Sequence, residues 1–347
     1  MAHNADADDG SPRKKKPTMR VTLRVLFLVV FVWVGCPAAS SQVVETPSGR
    51  LEFVGLEKWD IASIEQRLGY DSLESLSCNF RHDLIGKLGF ADAHCASYAE
   101  GGRPYKVITV LEPQSGARIR YLSEPEKHLD IPPAWTELLK VVTEQQFLNT
   151  ILDYGSTLEQ AITKERLMPA EEEKWFVLLE ERRSEADFDL ALDRLSRDGD
   201  YRHRVVAALV LTNFGQRDSA WRALVGGLRD ANEIVRVVCA EALLSLANYT
   251  PRKVDWSAST ADLNLLLSGT NLFAYAWVIE ILVETEVSPK LARPLLKDEA
   301  GELLLAYLNA SHNHEREIAH DLLAQLSGRD FGFDGRRWRQ WVATVQT

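Results

Sequence analysis

The chain has 347 residues, 40 of them basic and 50 acidic, a formal net charge of −10 at pH 7. That excess of carboxylates excludes sequence-independent nucleic-acid binding, which rests on Lys and Arg neutralising phosphates. The cysteines form no CxxC pair, so they do not supply a thiolate zinc cage on their own.

The first element is "RVLFLVVFVWVGCPAASSQ" (24–42). Val25–Gly35 is an uninterrupted apolar run of eleven residues. A bilayer-spanning helix needs about 20, whereas this is the length of a signal-peptide core. Arg13, Lys14, Lys15, Lys16, Arg20 and Arg24 precede the run and a small-residue stretch follows it, the order of a secretory signal. Residues 1–41 are therefore expected to be removed by cleavage between Ser41 and Gln42, with Ala39 and Ser41 at the two small-residue positions. Cleavage after Ser40, using Ala38 and Ser40, is the neighbouring register. Met19 offers a start that gives a signal of ordinary length. Two alternatives leave the chain tethered. Gly35-Cys36 resembles the end of a bacterial lipoprotein signal, which implies lipidation at Cys36, although Trp33 stands where such signals prefer Leu. An uncleaved run, residues 25–35, would be an anchor. Without residues 1–41, 34 basic and 47 acidic residues remain, a net charge of −13, which favours solubility of an exported protein. The expected location is the periplasm or cell envelope.

Residues 49–123 read as a small α+β domain. "RLEFVGL" alternates as a strand, "WDIASIEQRL" and "SLSCNFRHDLIGKLGF" have helical spacing, and "DAHCASYAE" and "YKVITVLEP" flank the turn at Gly101-Gly102, a hairpin signal. The order is β-α-α-β-β, with "GARIRYL" offering a further strand and the helices covering one face of the sheet. "EFVGL", "IGKLGFADA" and "YKVITVLEP" in this order resemble a POTRA domain, a module of proteins that handle outer-membrane barrels. Only one copy is present and no barrel follows, so the resemblance does not extend to barrel assembly. In such a fold Cys78, on the second helix, faces Cys95 on the second strand; an oxidising compartment lets them pair, and two buried thiols are the alternative.

"LSEPEKHLDIPP" carries Pro125, Pro132 and Pro133, and residues 124–133 read as a linker because proline disfavours helix in its predecessor. Residues 134–347 are helical in pattern and contain a repeat. "RVVAALVLTNF" (204–214) returns as "RVVCAEALLSL" (236–246), and offsets of 40 give "AWVIEILVETE" (276–286) and "REIAHDLLAQL" (316–326). Apolar positions travel with the offset, tracing one buried helical face per unit. "DSAWRALVGGL", "TADLNLLLSG" and "ELLLAYLNA" lie between. Helix pairs at a period of 32–40 residues resemble HEAT repeats, with "DANEIVRVVCAEALLSLAN" as the clearest unit. The expected fold is thus mostly α, a HEAT-type α-solenoid preceded by a small α+β domain. Cys239 is expected in its core.

Motifs that invite a chemical reading do not sustain one. In "HNHEREIAH" (312–320), His314 and His320 are six apart and diverge around a helix, unlike the four-residue step of His-Glu-x-x-His; the segment reads as a solvated helix start. Asp330-Phe331-Gly332 has no kinase partners and reads as a turn. "RRWRQW" (336–341) reads as a cap with Trp338 and Trp341 inward. Glu171, Glu172 and Glu173 open a helix; His82 and His94 have no nucleophile at an activating spacing. The sequons at Asn248 and Asn309 read as chance. No catalytic, cofactor or metal-binding residues are expected. The expected role is a non-catalytic scaffold binding an unidentified protein partner through the solenoid face, with no cofactor and no nucleic acid. The alternatives are an enzyme of the HEAT-like bilin lyase type, which the repeat resemblance admits, and a lipid-anchored envelope structural protein.

Overall fold

Strands β1 (Ser40–Thr46), β2 (Gly49–Leu56), β3 (Asp92–Glu100) and β4 (Arg103–Leu111) form one mixed sheet in the order β1-β2-β4-β3. The computed structural model describes residues 40–46, 49–68, 80–143 and 177–346. The apolar run 25–35, Cys36, Cys78 and Glu171–Glu173 lie outside the described residues. β2 is parallel to β4 and the other two pairs are antiparallel. A parallel pair needs a crossover, and the chain between β2 and β4 provides it with α1 (Ile61–Leu68), α2 (Phe80–Leu88) and β3. From β2 onward the order is the expected β-α-α-β-β. Gly101 and Gly102, both at positive φ (57° and 80°), close the β3–β4 hairpin, the conformation that a two-residue turn of the twisted type demands.

Three features depart from expectation. β1 adds a strand before the expected first one, built from the residues around the anticipated cleavage point. It pairs regularly with β2 from Gln42↔Phe53 onward, and its Ser40↔Leu56 pairing lies across an irregularity next to Gly55, whose φ is +96°. "GARIRYL" is not a strand: Pro113–Arg118 is a short 3-10 helix and irregular chain follows. Turns that follow α-helices bond this stretch instead. Thr270 Oγ1 donates to the Arg118 carbonyl (2.7 Å) and the Leu122 N–H to the Arg229 carbonyl (2.7 Å). Finally, both faces of the sheet are covered. Leu51, Phe53, Ile108 and Val110 pack with Ile64 and Leu84 of α1 and α2, while Val54, Tyr105, Val107 and Leu111 join the core of the helical region. The run Val107–Leu111, buried at every position, is what a strand covered on both sides requires.

The rest of the described chain is helical. After the irregular segment 122–132 come α3 (Pro133–Thr143), α4 (Glu185–Arg197), α5 (Tyr201–Leu211), α6 (Asp218–Gly227), α7 (Glu233–Tyr249), α8 (Thr260–Leu267), α9 (Leu272–Glu284), α10 (Glu299–Leu308), α11 (Asn313–Ser327) and α12 (Gly335–Gln346). The four repeated segments fall in α5, α7, α9 and α11, each of which touches the next; α4, α6, α8 and α10 touch in the same succession. This arrangement is compatible with an α-solenoid. Sheet and helices belong to one compact unit. Among the described residues no helix is long and apolar enough to cross a membrane.

The shared opening "RVV" has a structural role. Arg204 is fully buried, bonds both Asp230 carboxylate oxygens (2.8 and 2.9 Å) and donates to the Asp198 carbonyl six residues back. Arg236, one unit on, donates in the same way to the Asp230 carbonyl. Asp230 thus ties one unit to the next through its side chain and its own unit together through its backbone. Cys239 is buried in α7, and burial raises its thiol well above the ordinary range, so it packs as a small apolar residue.

Candidate binding face

α7, α9 and α11 turn their apolar stripes inward, with Leu243, Ile279 and Leu322 all buried. Residues on their outer faces line a groove of about 360 Å3. Its floor includes Leu244, Ile281, Val283 and Ile318, and its polar wall consists of Glu280, Glu284, Glu317 and Asp321 with His314. Helical spacing explains the grouping: Glu280 and Glu284, like Glu317 and Asp321, are four apart and rise from one side of their helix. His314 Nε2 lies 3.5 Å from Glu280 Oε1. Burial raises the Glu280 carboxyl above its usual range; His314 opposes the shift, and Glu284 and Glu315 add to it. The groove carries an excess of negative charge.

A second polar constellation lies where the sheet meets α11. Glu52 of β2 is fully buried and accepts four hydrogen bonds: from the Ser41 hydroxyl, the Tyr105 hydroxyl (2.8 Å), and the backbone N–H groups of Ser311 (2.5 Å) and His312 (2.9 Å). The last two belong to the residues just before Asn313, so Glu52 holds the chain where it enters α11. His312 Nδ1 sits 2.6 Å from Glu315, which also accepts from Tyr98 of β3 (2.7 Å). The His312 ring stacks on Tyr98 with centroids 4.0 Å apart. Burial pushes the Tyr98 and Tyr105 hydroxyls up, and their carboxylate partners push them further. Both phenols are held as donors. Alongside, the Thr109 and Tyr307 hydroxyls bond at 2.9 Å.

A smaller cavity of about 60 Å3 between β3, α2 and the starts of α7 and α9 is lined by Arg81, Asp92, His94, Tyr121 and Arg236, among others. Arg81 spans it, bridging Asp92 and Glu233. Burial, with a contribution from Arg81, lowers His94 to about 4. Its ring meets Phe273 edge-on at 5.3 Å.

The residues singled out from sequence are dispersed. Cys95 on β3 is disulfide-bonded, while its expected partner Cys78 lies outside the described residues, as does Cys36. Ser41 and Gln42 are in β1. The reading of "HNHEREIAH" as a solvated helix start is overturned for its first half, because the sheet covers His312 and Glu315, whose side chains are 11% and 3% exposed. His314 faces the groove. His320 bridges Asp321 and Asp330 (2.9 and 3.0 Å), and Gly332 N–H bonds Asp330, so "DFG" is a turn. Among the described residues no group of three or more His, Cys, Asp or Glu is arranged to hold a metal. Trp338, Trp341 and Val342 are buried, with the Trp338 indole donating to the Gly332 carbonyl. Asn248 lines the groove, and the Asn309 amide donates to the Leu305 carbonyl.

Sequence reasoning missed Glu52, Tyr98, Tyr105 and Glu315. One signal was available: a glutamate flanked by Leu51 and Phe53 inside "RLEFVGL", where every residue after it in the strand is apolar. Glu112 was missed as well. It follows β4 and accepts the N–H groups of Glu57, Lys58 and Trp59 (2.7–2.9 Å), holding the turn that leads into α1. Comparison of the chain with protein-family models finds no match, and comparison with curated proteins finds none either.

Proposed function

We propose that this chain is a non-catalytic, exported scaffold in which a POTRA-like module packs on HEAT-type helix pairs, and that it holds a basic segment of a protein partner in the groove along α7, α9 and α11. The observation that carries this reading is the groove wall, where Glu280, Glu284, Glu317 and Asp321 face a single imidazole. The apolar floor suits the aliphatic stem of a Lys or Arg side chain while the carboxylates meet its charged head. The same repeated helix supplies the wall in successive units, and arrays of this kind present extended binding surfaces. The parallel β2–β4 pair, crossed over by two helices, supports the POTRA-like assignment.

The test is a pull-down from envelope extract of the native host, comparing the wild type with a Glu280→Lys/Glu284→Lys variant at low and high salt. A partner retained by the wild type is expected to fall about tenfold in recovery with the variant and to weaken with salt, as contacts between exposed charges do. No recovery above background by the wild type, or equal recovery by both chains, overturns the reading.

A further inference from the structure

We infer that signal processing cuts the Ser40–Ser41 bond, so that the mature chain begins at Ser41. The inference rests on the proposed export. It follows from what the first residues of β1 do in the fold. Alternate side chains of a strand point to opposite faces, and here each of the first two has a task. Ser41 donates its hydroxyl to Glu52, which is fully buried and accepts from Tyr105, Ser311 and His312 as well. On the opposite face, Gln42 Oε1 accepts the N–H of Ile61, the first residue of α1 (3.2 Å), and Gln42 Nε2 donates to the Trp59 carbonyl (3.4 Å).

A cut after Ser41 removes one donor from a buried carboxylate, a group whose burial is tolerated only while its hydrogen bonds are made. It also makes Gln42 the chain end, and terminal residues fray unless tied down. The side chain that seats the start of α1 would then hang from a free terminus. A cut after Ser40 keeps both tasks. It leaves the regular ladder intact, since that ladder starts at Gln42↔Phe53 and only the Ser40↔Leu56 pairing beyond the irregularity is lost. The new α-ammonium is carried by the same residue whose hydroxyl reaches the Glu52 carboxylate, an attractive placement. Ala38 and Ser40 supply the small side chains that cleavage requires.

The experiment is intact mass and N-terminal sequencing of the protein isolated from its native host, alongside a Ser40→Gln variant. A wild-type chain beginning at Ser41 is expected. Ser40→Gln places a large side chain next to the proposed cut, and precursor is expected to accumulate or the start to move. A wild-type start at Gln42, or a Ser40→Gln chain processed in the same amount and at the same bond as the wild type, overturns the inference while leaving export in place. A chain starting at a lipid-modified Cys36 also overturns it. A chain that retains residues 1–35 overturns the proposed processing altogether, and this inference with it.

Discussion

α5, α7 and α9 begin alike. Asp200, Asn232 and Asn271 accept the N–H groups of Arg202, Ile234 and Ala274, each a residue of the first helical turn. The fourth repeated helix, α11, has no side-chain cap of its own at His312. Glu52, some 260 positions earlier in β2, instead holds the two residues that lead into it, accepting the N–H groups of Ser311 and His312. Three helices therefore carry local caps, and the entry to the fourth is held by tertiary structure. The difference teaches why the sheet and the helices form one unit. The sheet holds the entry to the last repeated helix, while α10 lies against β1 and β2 and α9 against β3. Neither side is finished without the other.

Removing the long-range tie at Glu52 breaks the comparison most sharply. Glu52→Ala strands the Tyr105 hydroxyl and two backbone donors at once, and a loss of about 3 kcal/mol in unfolding free energy is expected, since each buried unsatisfied group costs about 1–3 kcal/mol. Urea unfolding measures it, and amide exchange is expected to accelerate at the start of α11 before that of α7. A uniform acceleration across both helices would show that Glu52 does not hold the entry to α11.

A second test titrates the same interface. His94 of β3 is held near 4, against an ordinary 6.5, so below 6.5 the unfolded chain binds the proton more readily than the folded one. Its contribution is fully present above about pH 6.5, declines as pH falls toward 4, and changes no further below that. Allowing for the ring's partial contact with water, about 2 kcal/mol is at stake. His94→Gln is expected to flatten this part of the stability profile between pH 6.5 and 4 relative to wild type. Parallel profiles for the two chains would rule His94 out as the cause.

The local caps set the lower bound. Asn232→Ala is expected to cost about 1 kcal/mol, the usual worth of such a residue, with the loss confined to the first turn of α7 and no change in exchange at the sheet. A loss as large as that of Glu52→Ala would erase the distinction between the local cap and the long-range tie.

The legibility of the molecule follows the same division. The repeated segments were legible because each unit repeats its apolar spacing and the first two share their opening residues, and α5, α7, α9 and α11 lie where the offsets place them. The Gly101-Gly102 hairpin was legible because its turn needs two residues at positive φ. The carboxylates of the groove stand in plain sequence as pairs four apart. Their assembly into one wall was not readable, because it depends on α9 lying beside α11. β1 was missed because signal-like residues run directly into it, and the strand exists only through pairing with β2. "GARIRYL" has a strand's composition, but its backbone groups find Thr270 and Arg229 rather than another strand.

From the sequence alone came the helix pairs, their period, the β-α-α-β-β order and the acidic balance, all properties carried by residues near one another along the chain. The tertiary structure decided that the sheet would be buried on both faces, that Glu52 would hold the entry to α11, and that His312 and Glu315 would leave solvent, one to stack on Tyr98 and the other to accept its hydroxyl. The reason is physical: a polar group's environment is set by whatever packs against it, and here its partners come from the opposite end of the chain.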